Sequence, residues 1–251
     1  MPRFGFLAIS AAVLVAGAPA RATEVPLSLP SAAQPITPAD TALSDSAIDE
    51  RIDFIQGRLN DSRFHGQAWY WSWMTINAGS GVGLGVIAGL SKHEDDQVNN
   101  GVQAGLGAIG VADLLLRPLE ARHGADPVSG LPETTRPEKI AKLRAAESLL
   151  HGNAERADER TSFAQHAGNV GVNAAAGLTI ALAGKPSDGL ISFLSGVAGG
   201  ELQIWTQPWA PANDWADYQR QFGGQASRTR MDAFLGPLPS GGAHAGLRWQ
   251  W

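Results

Sequence analysis

Gly81, Gly85 and Gly89 stand four apart inside a stretch, Gly66 to Ser91, that carries no charged residue. Any fold for this chain must accommodate that run. Glycine in a helix interior costs about 1 kcal/mol relative to alanine, so a helix built this way needs an offsetting gain. Close backbone approach supplies one, because a small-xxx-small face lets two helices pack with little side chain between them. The spacing recurs at Gly101/Gly105 and Gly196/Gly200, and Asn173/Gly177 continues it, so these faces are expected to be packed. The chain has 30 glycines and only 17% charged residues. It lacks a collagen period, which assigns the glycines to packing and turns.

Around these segments the chain repeats an order of elements. Ser46-x-x-Asp49 resembles a capping box, and Ile48, Ile52, Ile55 and Leu59 form the apolar stripe of an amphipathic helix. Two apolar segments follow, Gly66 to Ser91 and Val98 to Leu116, joined by the polar loop Lys92-His93-Glu94-Asp95-Asp96. The second half offers a start at Thr135-Arg136-Pro137-Glu138, then Ile140, Leu143, Leu149 and Leu150, then two apolar segments joined by Lys185-Pro186-Ser187-Asp188. Superposed, Asn77 and Gly79 fall on Asn169 and Gly171, and Leu90 on Leu182. After a second loop two residues shorter, Ala108, Gly110 and Pro118 fall on Ala198, Gly200 and Pro208.

The expected fold is mostly α: a tandem helical-hairpin repeat forming a Gly/Ala-rich four-helix core, with two flanking amphipathic helices and a short C-terminal strand-like tail. The organisation reads as a signal peptide (1–22), an extended leader (23–43), helical repeat 1 (44–120), a linker (121–136), helical repeat 2 (137–210) and a C-terminal tail (211–251). The leader rests on its prolines, and the linker on its prolines and glycines.

The signal peptide has Arg3 as its basic start, an apolar run from Phe4 to Ala16, and Ala20-Arg21-Ala22 before Thr23 as a cleavage site. That run is shorter than the roughly 20 residues a bilayer requires. The chain carries a net charge of −5, which becomes −7 once Arg3 and Arg21 leave with the signal. An acidic chain without a basic stretch excludes nucleic acid as a partner. With no cysteine, disulfides, thiol chemistry and a lipoprotein anchor are excluded. The expected location is the periplasm or cell envelope.

Two rival architectures each suit part of the sequence. Four membrane spans suit the small-residue faces, but Asp113 and Glu201 would enter or border the hydrocarbon. The loop at 92–96 is also acidic where a positive-inside orientation wants lysine and arginine. A β-barrel suits the alternation of Gly81-Val-Gly-Leu-Gly-Val86 and the ending Leu247-Arg-Trp-Gln-Trp251, yet too few such segments exist.

Chemistry is sparsely signalled. Gly105-Leu-Gly-Ala-Ile-Gly110 matches a dinucleotide fingerprint but sits in a helical segment. No HExxH or GxSxG occurs, and the histidines are scattered, so no metal, cofactor or catalytic set is assigned. Asp113 has Arg117 four residues on as an ion-pair partner. Glu201 has no charged residue three or four positions away, which makes it the best single functional candidate if buried. The tryptophans carry more. Trp69, Trp71 and Trp73 open the first apolar segment, and Trp205, Trp209 and Trp215 close the last, so six of the 8 are expected at one pole. Trp69, Trp73, Trp205, Trp209 and Glu201 are the expected binding residues.

The leading expectation is a membrane-associated, non-catalytic structural or interaction protein of the envelope, with a lipid surface or another envelope protein as partner. Alternatives are a periplasmic module that binds glycans or lipids on the Trp pole, and an integral four-helix membrane protein.

Overall fold

A computed structural model describes residues 43–223 and the backbone of 230–237 and 243–250. The signal peptide and nearly all of the leader lie outside the described residues. Among those described the chain is mostly α.

The first amphipathic stripe and the first apolar segment form one helix rather than two. Helix α1 runs from Asp45 to Leu90, 46 residues. Residues 57–66 contain no proline, and the helix runs through Asn60-Asp61-Ser62, whose Asn60 and Ser62 side chains bond to other elements (Ala125 N–H and Asp214). Its N-cap is Ser44 rather than Ser46: the Ser44 Oγ accepts the Ala47 N–H at 3.2 Å. Helix α2 (Glu94–Leu116) returns along α1. A 3-10 turn (Glu120–His123) and a short helix α3 (Asp126–Ser129) occupy the segment read as a linker. Helix α4 (Arg136–Arg160) starts at the expected capping box, where the Glu138 carboxylate accepts the Thr135 N–H at 2.8 Å. In the second half the chain does break after the amphipathic helix, because Thr161 caps α4 and Ser162 opens α5 (Phe163–Ala183). Helix α6 (Pro186–Trp205) follows. Helix α7 (Ala210–Phe222) lies in the segment read as tail. The two strands β1 (Arg230–Pro237) and β2 (Ala243–Gln250) pair antiparallel, Arg230 opposite Gln250. The alternating Gly81–Val86 segment is helical, within α1, which removes the strand reading of that stretch.

Two regions of different packing chemistry result. In the first, the stripe Ile48, Ile52, Ile55 and Leu59 meets Ile140, Leu143, Ala146 and Leu150 of α4, Val128 of α3 and Tyr218 of α7. This is an ordinary buried apolar core. In the second, two hairpins, α1/α2 and α5/α6, are closed by glycine. A Cβ on Gly107 would stand 2.7 Å from the Asn77 carbonyl oxygen and 2.8 Å from the Gly81 nitrogen, so here backbone lies on backbone. Gly177 and Gly189 make the matching contact in the second hairpin, at 2.7 Å from the Gly177 Cβ direction to the Gly189 carbonyl. Asparagine packs where the partner lacks a side chain. Asn77 lies over Gly110 and Asn169 over Gly200, positions that the sequence register aligns.

The spacing rule misplaced part of both rows. Gly89 and Gly105 have nothing within 4 Å, and Gly101 meets only the Ala88 Cβ at 4.0 Å. Four-residue spacing picks out a row on a helix but not the side on which the neighbour arrives. The hairpins share a pole at their loops, where Lys185 Nζ reaches Asp95 at 3.3 Å.

Three outcomes follow for purified protein. Gly107→Ala should lower stability by about 1–3 kcal/mol through backbone overlap. Gly105→Ala should raise it by up to about 1 kcal/mol, since only helix propensity changes. Denaturant midpoints distinguish them, and equal effects would refute the packing assignment. Asp214 is 5% exposed and accepts Ser62 Oγ at 3.1 Å, but burial pushes its carboxyl above the usual range. The folded state therefore binds that proton more tightly than the unfolded chain. Its ionised form costs stability above the folded pKa, and the cost fades as pH falls through it. Asp214→Asn should remove this loss of stability as pH rises above about 4, where an ordinary aspartate ionises.

Candidate functional site

The base of the hairpins, opposite the loops, gathers the residues the sequence singled out. Trp69 and Trp73 are one turn apart on α1 and face the end of α6. Trp69 Nε1 donates to the Gln203 carbonyl at 3.0 Å, and Trp73 Nε1 to Thr206 Oγ1 at 3.1 Å. The chain leaves α6 through Pro208 and enters α7 past Pro211, both fully buried, which sets Trp205 and Trp209 ring to ring at 6.1 Å. These two rings are about half exposed.

Glu201 belongs to the same pole and has partners that local spacing could not reveal. They come from α5. His166 Nδ1 lies 2.7 Å from Glu201 Oε2, and Asn169 Nδ2 donates to Oε1 at 3.0 Å. Trp205 Nε1 adds a third contact at 3.2 Å. Asn173 Nδ2 in turn donates to Asn169 Oδ1 at 2.8 Å, extending a polar ladder into the α5/α6 interface. Glu201 is therefore a half-buried carboxylate with three donors, not an isolated one. Asp113 is engaged separately by Arg117, as the spacing indicated, and by Arg160 of α4 at 3.3 Å.

Two tryptophans depart from the expected gathering. Trp71 points the other way, 61% exposed, with its ring edge-on to Tyr70 at 5.2 Å. A helix turns about 100° per residue, so positions 69 and 71 cannot share a face. Trp215 stacks on Tyr218 at 5.6 Å within the apolar core of α1, α4 and α7. The pole thus holds Trp69, Trp73, Trp205 and Trp209.

Sequence reasoning missed two arginines here. Arg160 is 3% exposed with its guanidinium over the Trp69 ring at 5.5 Å. Arg122 lies over the Tyr70 ring at 4.1 Å. A charged residue at a helix end or in a turn gives no pattern that separates burial from solvation. The turn bearing Arg122 can approach because α1 offers Gly66, whose Cβ direction meets the Arg122 nitrogen at 3.0 Å.

Two surface clefts border the pole. One, of about 220 Å³, is lined by Gln67, Tyr70, Trp71, Arg122 and His123. The other, of about 480 Å³, is open and lined by Trp71, Ser72, Thr75 and Ile76. Neither reaches Glu201 or His166. Among the described residues no three His, Cys, Asp or Glu side chains are grouped to hold a metal. The arrangement positions aromatic rings and pairs Arg160 with Asp113 and Glu201 with His166. Comparison with known protein families, curated proteins and solved structures finds no match to this chain.

The exposures of neighbouring tryptophans give a direct test. Trp69→Ala should cost about 3–5 kcal/mol, as truncation of a buried aromatic does. Trp71→Ala should stay within about 0.5 kcal/mol. Thermal unfolding of the two variants side by side reads the difference, and similar losses would refute the burial assigned to Trp69.

Proposed function

We propose that the chain is a non-catalytic structural or interaction protein of the cell envelope, seated in a membrane through its two hairpins, with the Trp pole at the lipid–water boundary. The observation that carries this reading is the inversion of the hairpins relative to a water-soluble bundle. Their interfaces are glycine and asparagine, while Val82, Leu90, Leu178, Leu182, Leu190 and Leu194 face outward. In water each such side chain forgoes roughly 1.5–3 kcal/mol of burial. An apolar surface this extensive needs a cover.

Length supports the same reading. Helices α2, α5 and α6 have 23, 21 and 20 residues, about 30–35 Å at 1.5 Å per residue, the thickness of a hydrocarbon core. Among the described residues α1 alone is both long and apolar enough to cross a membrane by itself. The other three are diluted by asparagine, glutamine, serine and glycine, so their insertion depends on packing against α1 and each other. The charges that spoke against membrane spans sit at helix ends. Glu94, Asp95, Asp96 and Asp188 lie at the loop pole, and Asp113 and Glu201 at the Trp pole with cationic or hydrogen-bonding partners. Indoles with one polar edge and one apolar body favour the headgroup level. Lipid contact accounts better than glycan stacking for Trp205 and Trp209, because the apolar surface continues from them along α6.

Carbonate extraction of membranes should leave the protein in the pellet. Complete release into the soluble fraction would overturn the membrane reading. Orientation is read separately. The basic side chains at the Trp pole (Arg63, Arg117, Arg122, Arg156, Arg160) and the acidic loop pole favour a cytoplasmic Trp pole by the positive-inside rule, whereas an exported N-terminus places it outside. With an exported N-terminus, protease added to intact spheroplasts should cut the α3–α4 region. Cleavage there only after lysis would refute export while leaving membrane insertion standing.

A further inference from the structure

Arg122 is placed where its charge has nothing to answer it. Its Nε donates to His123 Nε2 at 3.0 Å, and its Nη1 is buried without a hydrogen-bond partner. The carboxylates nearby are engaged elsewhere: Glu120 lies 3.9 Å from His123, and Asp126 pairs with Arg63 at 2.8 Å. No carboxylate among the described residues pairs with Arg122. Its guanidinium carbon instead lies over the Tyr70 ring, 4.1 Å from the centroid. With Nε committed to His123, the terminal nitrogens carry the donors left to satisfy, and a phosphate oxygen is an acceptor that suits them.

The surroundings point to which phosphate. The cleft of about 220 Å³ at Arg122 and the open cleft of about 480 Å³ along α1 share Trp71 as a common wall. One is cationic and polar, with Gln67, Arg122 and His123; the other runs up the apolar half of α1 past Ser72, Thr75 and Ile76. A charged pocket that shares an exposed indole with an open face of α1 offers a headgroup site beside a surface on which an acyl chain can lie. The turn that carries Arg122 is also held firmly. Asn60 Oδ1 accepts the Ala125 N–H at 3.0 Å, and Gly66 admits the turn against α1.

We propose that this cleft holds the phosphate of an anionic phospholipid, with Arg122 as the hydrogen-bond donor to the phosphate, His123 and Gln67 as further polar contacts, and the open α1 face Trp71–Ile76 as the surface along which one acyl chain lies. This rests on the membrane reading above and adds to it a specific lipid class and site.

The test uses the full chain reconstituted in vesicles of phosphatidylcholine alone or with added phosphatidylglycerol, following thermal unfolding by circular dichroism. Phosphatidylglycerol should stabilise the wild type beyond phosphatidylcholine. Arg122→Gln should weaken the apparent affinity for phosphatidylglycerol about tenfold, as loss of a charged hydrogen-bond donor does. Gln67→Glu, which sets a carboxylate beside Arg122 and keeps the arginine, should abolish the preference even if Arg122→Gln folds poorly. Equal stabilisation by both lipids, or a preference that survives in Gln67→Glu, would overturn the site. Inorganic phosphate reproducing the full effect on detergent-solubilised protein would also overturn it, since the acyl surface would then contribute nothing. Failure to enter vesicles of either composition would instead overturn the membrane reading itself.

Discussion

Contact between helix backbones, made possible by glycine, is the constraint from which the rest of this structure follows. Where Gly81 meets Gly107 and Gly177 meets Gly189, no side chain fits between the helices. Each hairpin is therefore narrow, and most of its larger side chains face outward, with Leu114 and Ile180 as buried exceptions. The cost of glycine in a helix interior is offset by many close contacts along the pair. Because few bulky residues can be used inside, the bundle cannot have an oil-like core of its own. Its apolar surface is a direct result of how its interior is closed.

The apolar core lies instead at the other end of α1. The unbroken helix carries both chemistries: an isoleucine stripe that packs on α4 and α7, then a glycine face that packs on α2. At the junction between the two regions, buried polar groups collect. Arg160, buried against Trp69, ties α4 to the end of α2 through Asp113 and the Arg117 carbonyl. Glu201 ties α6 to α5 through His166 and Asn169. The aromatic pole, the buried arginine and the half-buried glutamate are thus one structural layer, at the level where apolar surface gives way to polar.

Much of the local structure was legible from residue spacing. Ile48, Ile52, Ile55 and Leu59 recur at helical intervals, and they form the buried stripe. The Thr135 and Glu138 pair marks a helix start because its two side chains answer backbone groups within the same turn. Asp113 and Arg117, four apart, pair as neighbours on one helix must. Each is a relation within a few residues, where geometry is set by the helix alone. Spacing failed where the partner came from elsewhere. Glu201 looked isolated because His166 and Asn169 sit on a different helix. Trp71 looked like a member of the pole because a count of tryptophans ignores the rotation between positions 69 and 71.

By itself the sequence determined that this chain is mostly helical, that its helices alternate between amphipathic and charge-free, and that small residues would bring some of them unusually close. These follow from periodicity and from the size of side chains, properties each segment carries alone. Only the tertiary structure decided which glycines make contact, with Gly107 closed upon and Gly105 left open. It also decided which tryptophans are buried, and where Glu201, Arg122 and Arg160 find their neighbours. Those outcomes depend on the side from which a second helix arrives, a relation between distant parts of the chain that no local pattern encodes.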